Sequence, residues 1–266
     1  MSRLARIPRH AATACLVTAA TTLAALVALT PAAHALGNGH LQIMHVDVGQ
    51  GDGALLISPG GQTALFVAQT AGQRAPQWNF LGTVALAPAS TLEALIPLAE
   101  ATHDPVEQAY LIYALEGLST VDAHVQVEQL LTTQARSVLA DTTTGCIDDI
   151  TNDLTRRHLD HLFAVNSATL TRLNTELGHY DDPDQHRAAK PILIAQGTVD
   201  NDVPQGATDG LTSRLCTLGD RLEYRLFPGL DHNNLVAGSL NFVEAWITAR
   251  FEHRSAATTC NPRSRP

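Results

Sequence analysis

Apolar positions organise the chain into four stretches after about residue 40. In the first, Leu41 to Val48 and Ala54 to Ile57 have strand character, punctuated by Gly49, Gly51, Gly53, Gly60 and Gly61. The second, Leu81 to Pro88, is a continuous apolar run of strand length. From Ser90 to about Ala189 the spacing becomes helical: Val106, Ala109, Tyr110, Tyr113, Ala114 and Leu118 recur every three or four residues. Val127, Leu130, Leu131, Val138 and Leu139 suggest another helix. Ser90-Thr91-Leu92-Glu93 reads as a capping box, and Asp104-Pro105 as a capping acid before a first-turn proline. The fourth stretch alternates strand 191–197, helix from about Asp209 to Leu218, strand 221–227 and helix from about Ser239 to Phe251. A βαβα tail requires parallel strands joined by crossover helices, so the fold class is α/β.

The N-terminus changes the size of the folded part. Arg3, Arg6 and Arg9 precede an apolar, small-residue run from Ala11 to Thr30, and Ala33-His34-Ala35 follows. A basic start, an apolar core and an Ala-x-Ala site predict a secretory signal peptide over residues 1–35, hence a secreted, extracellular protein. Losing those three arginines takes the formal charge from −9 to −12 and leaves Lys190 as the sole lysine. Such a surface repels nucleic acid, and no later apolar run is long enough for a membrane span. Export permits disulfides. Cys146, Cys216 and Cys260 remain, and their spacing assigns no pairing.

The chemistry sits in the tail. The strand ending at Gly197 delivers Asp200 from the turn in Gly197-Thr198-Val199-Asp200, with Asp202 as a nearby competitor. The next strand delivers His232 from Pro228-Gly229-Leu230-Asp231-His232, read as a loop. An acid and an imidazole released at one sheet edge are the acid–base half of a nucleophilic triad in the order Ser…Asp…His.

From Gly60 to about Cys260 the chain resembles the C-terminal half of the secretory lipase family, lipase A-like α/β-hydrolases. Gly60 to Leu65, Leu81 to Ser90 and the Asp200 and His232 segments carry the resemblance. It implies an incomplete α/β-hydrolase-like parallel sheet over residues 62–260, with a helical cap insertion at about 91–189 above an acyl pocket. It also implies a Cys216–Cys260 bridge that ties down the last helix, a lipid or other small ester as substrate, and no cofactor. The family's Gly-x-Ser-x-Gly-Gly elbow is matched by Leu56-Ile57-Ser58-Pro59-Gly60-Gly61, which nominates Ser58 as nucleophile. Leu56 replaces the first glycine and crowds the turn. Pro59 has no N–H, whereas the residue after the serine supplies half of this fold's oxyanion hole.

Residues 41–61 also resemble something else, the first β-hairpin of competence-type metallo-β-lactamase domains. There Ser58 to Gly61 is a hairpin turn, and Thr63 to Val67 is the return strand; Pro then Gly suits a type II turn. A metal site of that class needs a His-x-His-x-Asp-His cluster, and Arg156-Arg157-His158-Leu159-Asp160-His161 is the nearest approach, on a helix expected between Asp153 and Val165. The sequence therefore supports a secreted serine ester hydrolase using Ser58, Asp200 and His232. A catalytically silent exported hydrolase remnant is the alternative, and a metallohydrolase the third reading.

Overall fold

A computed structural model describes residues 61–142 and 145–260, together with the backbone of 42–47 and 52–57. Residues 1–35, and Ser58 with its neighbours Pro59 and Gly60, lie outside the described residues. The sheet runs in the order β1 (Gln42–Asp47), β2 (Asp52–Ile57), β3 (Asn79–Leu86), β4 (Ile192–Gly197), β5 (Leu222–Phe227). β1 pairs antiparallel with β2, and every later pairing is parallel. This is the incomplete, α/β-hydrolase-like sheet with a short N-terminal hairpin and helical insertions that the sequence predicts.

Helix α1 (Gly61–Arg74) links β2 to β3, and α8 (Gln205–Leu218) links β4 to β5. Thr63 to Val67, the return strand of the metallo-β-lactamase-like reading, lies within α1. That correction has a simple cause: Ala64, Leu65, Ala68 and Ala71 are the buried positions, a helical spacing that a two-residue period cannot satisfy.

Alternation along the strands decides which helix covers which face. Ala85, Ile192, Ile194 and Leu222 pack with Ala64, Leu65 and Ala68 of α1 and with Leu211 and Leu215 of α8. Val84, Leu86, Leu193 and Ala195 pack with Leu235, Val243 and Trp246 of α9 (His232–Phe251). The strands β3 and β4 are thus buried on both sides, which explains their unbroken apolar sequence. At Gly61 a Cβ would overlap the carbonyl of Leu86, so glycine is required where α1 starts against the end of β3.

Residues 95–170 form a compact helical unit of their own. It holds α2 (Leu95–Thr102), α3 (Pro105–Val121), α4 (Val127–Leu130), α5 (Thr133–Thr142), α6 (Ile147–Arg157) and the start of α7 (Ser167–Asp181). Asp104 caps α3 as expected, its Oδ1 accepting the Val106 N–H at 2.8 Å. The helix expected over 127–139 is two, broken by Leu131, whose backbone is extended. The helix expected from Asp153 to Val165 stops at Arg157, with His158 in a left-handed conformation (φ 51°). His158 and His161 therefore share no helix face, and His161 instead faces Glu100 at 3.3 Å. Among the described residues no helix is long and apolar enough to cross a membrane.

The expected capping box at Ser90 does not form. Ser90 Oγ donates to the carbonyl of Ala207 (3.3 Å), and Leu92 to Ala94 make a short 3₁₀ turn. The Leu92 N–H is taken by Asp182 Oδ1 (3.1 Å), which lies just beyond α7. Burial pushes the Asp182 carboxyl up to about 6, with Glu93 and Asp184 adding like charge; the Leu92 N–H and Arg214 act the other way. An acid whose pKa is raised on folding binds its proton more tightly in the native state. Its destabilising effect is therefore absent below about pH 4 and complete above about pH 6. Asp182→Asn keeps an oxygen for the Leu92 N–H and removes the buried charge. We expect its stability relative to the parent to improve by on the order of 1–2 kcal/mol as pH rises from 4 to 7. Urea unfolding of both proteins across that range measures this, and a pH-independent difference contradicts it.

Candidate active site

Asp200 and His232 follow adjacent parallel strands, β4 and β5, and the turns after those strands are laced together. The Thr198 N–H donates to Phe227 O (3.2 Å), the Val199 N–H to Leu230 O (3.1 Å) and the Gly229 N–H to Thr198 Oγ1 (2.9 Å). At Gly197 a Cβ would overlap the carbonyl of Leu230, so only glycine lets the two turns approach this closely. His232 is not in a loop, as the sequence reading had it, but is the first residue of α9. Asp231 caps that helix, its Oδ1 accepting the Asn234 N–H at 2.8 Å, and this fixes where the imidazole leaves the backbone.

The structure brings Asp200 and His232 together as expected: His232 Nδ1 lies 2.9 Å from Asp200 Oδ2. The Asp200 side chain is fully buried, while that of His232 is 33% exposed. This asymmetry matters, because the acid is withheld from solvent and the imidazole remains reachable. Oδ1 of Asp200 accepts the backbone N–H groups of Asp202 (3.0 Å) and Val203 (2.8 Å). Oδ2 accepts from His232 and from Gln196 Nε2 at 3.3 Å. A carboxylate has about four acceptor positions, and here N–H donors fill them. With His232 donating from Nδ1, its Nε2 carries the lone pair that a general base needs. Asp202, the competing acid, is exposed and reaches Asp200 through its own backbone N–H.

Asp200, Asp202 and His232 also form the one group of metal-ligand type whose donor atoms lie within 4.8 Å of each other among the described residues. A cation there would have to displace the proton donors already on Asp200 Oδ2. The donor set is therefore arranged to orient an imidazole rather than to hold a metal. A cleft of about 460 Å³ lined by Glu93, Asn174, Asp182, Asp184 and Arg214 includes neither Asp200 nor His232.

A parallel sheet with helices on both faces and an acid–imidazole pair at its carboxyl edge has the architecture of the α/β-hydrolase fold. The secretory lipase family model matches residues 55–259, and the chain belongs to that family. A search of the curated proteins finds no match. Among solved structures, the chain is similar to a presumptive hydrolase from Legionella pneumophila (TM-score 0.59, 15% identity, 75% of this chain and 56% of that one). It is also similar to Candida antarctica lipase A (0.56, 16%, 76% and 48%). A third is the rice cell wall degrading esterase LipA from Xanthomonas oryzae (0.53, 11%, 72% and 55%). At these identities the likeness is one of fold, and the chain spans about half the length of the structures it matches. The comparisons lend no support to a metallo-β-lactamase hairpin.

Proposed function

We propose that the protein is a secreted serine ester hydrolase of lipase or esterase type, with Ser58 as nucleophile, His232 as general base and then acid, and Asp200 as the residue that orients it. The observation that carries this reading is the 2.9 Å His232–Asp200 pair, buried on the acid's side and open on the imidazole's. Ser58 follows β2 directly in the sequence and precedes α1 by three residues, the strand-to-helix position of the elbow serine in this fold. Membership of the secretory lipase family supports an exported protein, an ester substrate and the assignment of residues 91–189 as its cap insertion.

In the first half-reaction Ser58 Oγ bonds to the ester carbonyl carbon as its proton passes to His232 Nε2. The imidazolium returns that proton to the leaving alkoxide as the ester C–O bond breaks. Water then repeats the sequence on the acyl-enzyme, releasing the carboxylic acid and restoring Ser58. Pro59 withholds the N–H that would meet the oxyanion, so turnover is expected about two to three powers of ten below that of a complete elbow.

A fluorophosphonate probe tests the assignment. Labelling of the parent protein is expected, together with its loss in Ser58→Ala. Labelling that survives the substitution, or never occurs in the parent, removes Ser58 as nucleophile. The second reading, a catalytically silent remnant that retains the acid–base pair, is favoured by Pro59, which has no N–H to offer an oxyanion. Steady turnover of a p-nitrophenyl ester by the parent, lost in Ser58→Ala, overturns it.

A further inference from the structure

We infer that Gln196 and Thr208 are positioning residues of the acid–base pair: together they hold the Asp200 turn shut and set the Asp200 oxygen that meets His232. The inference rests on the acid–base reading above. Gln196 is the penultimate residue of β4 and has no solvent exposure, in a strand that is otherwise apolar up to its terminal glycine. A buried amide there is costly unless every donor and acceptor is matched.

It is matched. Gln196 Nε2 donates to Val203 O (2.9 Å) and also reaches Gly197 O (3.2 Å) and Asp200 Oδ2 (3.3 Å). Gly197 and Val203 bracket the turn that carries Asp200, so one amide group spans both ends of the turn and touches the acid between them. The opposite end of the amide, Oε1, accepts from Thr208 Oγ1 at 2.7 Å, and Thr208 is likewise fully buried on α8. The orientation of the amide is decided by these neighbours. Turned over, Oε1 would face three oxygens that donate nothing. The Thr208 hydroxyl, which can donate, is what makes the observed orientation the satisfied one. A chain of hydrogen bonds thus runs Thr208 → Gln196 → Asp200 ← His232, from α8 through the end of β4 and the turn after it to the start of α9.

Gln196 Nε2 is one of the two donors to Asp200 Oδ2, and His232 Nδ1 is the other. Without it, Oδ2 has one donor fewer and accepts more strongly from His232, and the turn loses its clasp. Thr208→Val has nearly the parent's shape and removes only the hydroxyl; Gln196→Met removes the amide; Thr208→Ser keeps the hydroxyl. Asp202 and Asp231, the other charged groups near His232, are unchanged in all three.

Two readouts separate positioning from mere stability. In ester hydrolysis, kcat of Thr208→Val and Gln196→Met is expected to fall about tenfold or more with KM unchanged, and Thr208→Ser to restore it. By histidine-selective NMR of proteins shown to be folded by cooperative melts, the titration midpoint of His232 moves upward in the first two variants and returns in Thr208→Ser. In the parent protein, needing no substitution, the Gln196 side-chain amide resonance follows the His232 titration. A Gln196 resonance that ignores that titration, or an unmoved midpoint in folded Thr208→Val, overturns the inference. If the parent turns over no ester, the proposed function fails, while the two NMR readouts still decide this question.

Discussion

Replacing Asp200 by asparagine is expected to lower kcat for ester hydrolysis by on the order of 10⁴ while leaving the fold and KM in place. The reason lies in which oxygen does what. Oδ1 accepts the N–H groups of Asp202 and Val203, and an asparagine oxygen can keep both bonds, so the turn survives. The amide nitrogen then takes the place of Oδ2, 2.9 Å from His232 Nδ1. A donor facing Nδ1 selects the tautomer protonated on Nε2, and that imidazole cannot accept a proton from a serine. The same nitrogen also faces Gln196 Nε2, two donors opposed in a buried site. Asp202→Asn is the internal control: its side chain is exposed and its link to Asp200 is through the backbone, so the rate should change by about twofold at most. Initial rates on a p-nitrophenyl ester measure both. A loss below tenfold in Asp200→Asn, or a large loss in Asp202→Asn, means that Asp200 is not the orienting acid.

The pair itself was legible because each half follows a strand that cannot be mistaken for anything else. Residues 191–197 and 221–227 are bounded by turn chemistry and fall within one residue of β4 and β5. The start of α9 was not legible. Asn233 and Asn234 are poor helix formers, and the cap at Asp231 outweighs them through a bond that only the folded turn provides. Gln196 was missed for a different reason: one polar residue in an apolar strand carries no periodic signal. Its meaning comes from Val203, seven residues on, and Thr208, twelve on. Ser90 shows the converse, a local capping pattern overridden because its hydroxyl finds the carbonyl of Ala207 across the fold. The helix at Gly61–Arg74 settles a case where Pro-Gly turn chemistry and apolar spacing disagreed, in favour of the spacing, because Ala64, Leu65, Ala68 and Ala71 share one face of a helix but would fall on opposite faces of a strand.

The largest stability effect is expected at the other end of the chain. Cys216, in the last turn of α8, is bonded to Cys260, 44 residues later and beyond α9, the pairing that the family resemblance implies. Chain-entropy reasoning for a loop of that length gives about 4 kcal/mol of stabilisation. The bridge also has a local task. The Thr259 N–H donates to Leu222 O (2.8 Å), and the Tyr224 N–H donates to Thr259 Oγ1 (3.1 Å), so the terminal segment lies along the outer edge of β5 and occupies its backbone groups. An uncovered edge strand is a template for association, and β5 is the edge of this sheet. The double substitution Cys216→Ala, Cys260→Ala removes both partners of this bridge, so neither is left as an unpaired thiol. It should lower the urea midpoint by the equivalent of about 4 kcal/mol and release the tail. Amide exchange at Tyr224 should then rise well above that of Ile194 in the neighbouring strand, and sedimentation should show concentration-dependent association. A loss under about 1 kcal/mol with Tyr224 still protected would mean that the hydrogen bonds of Thr259 hold the edge without the bridge.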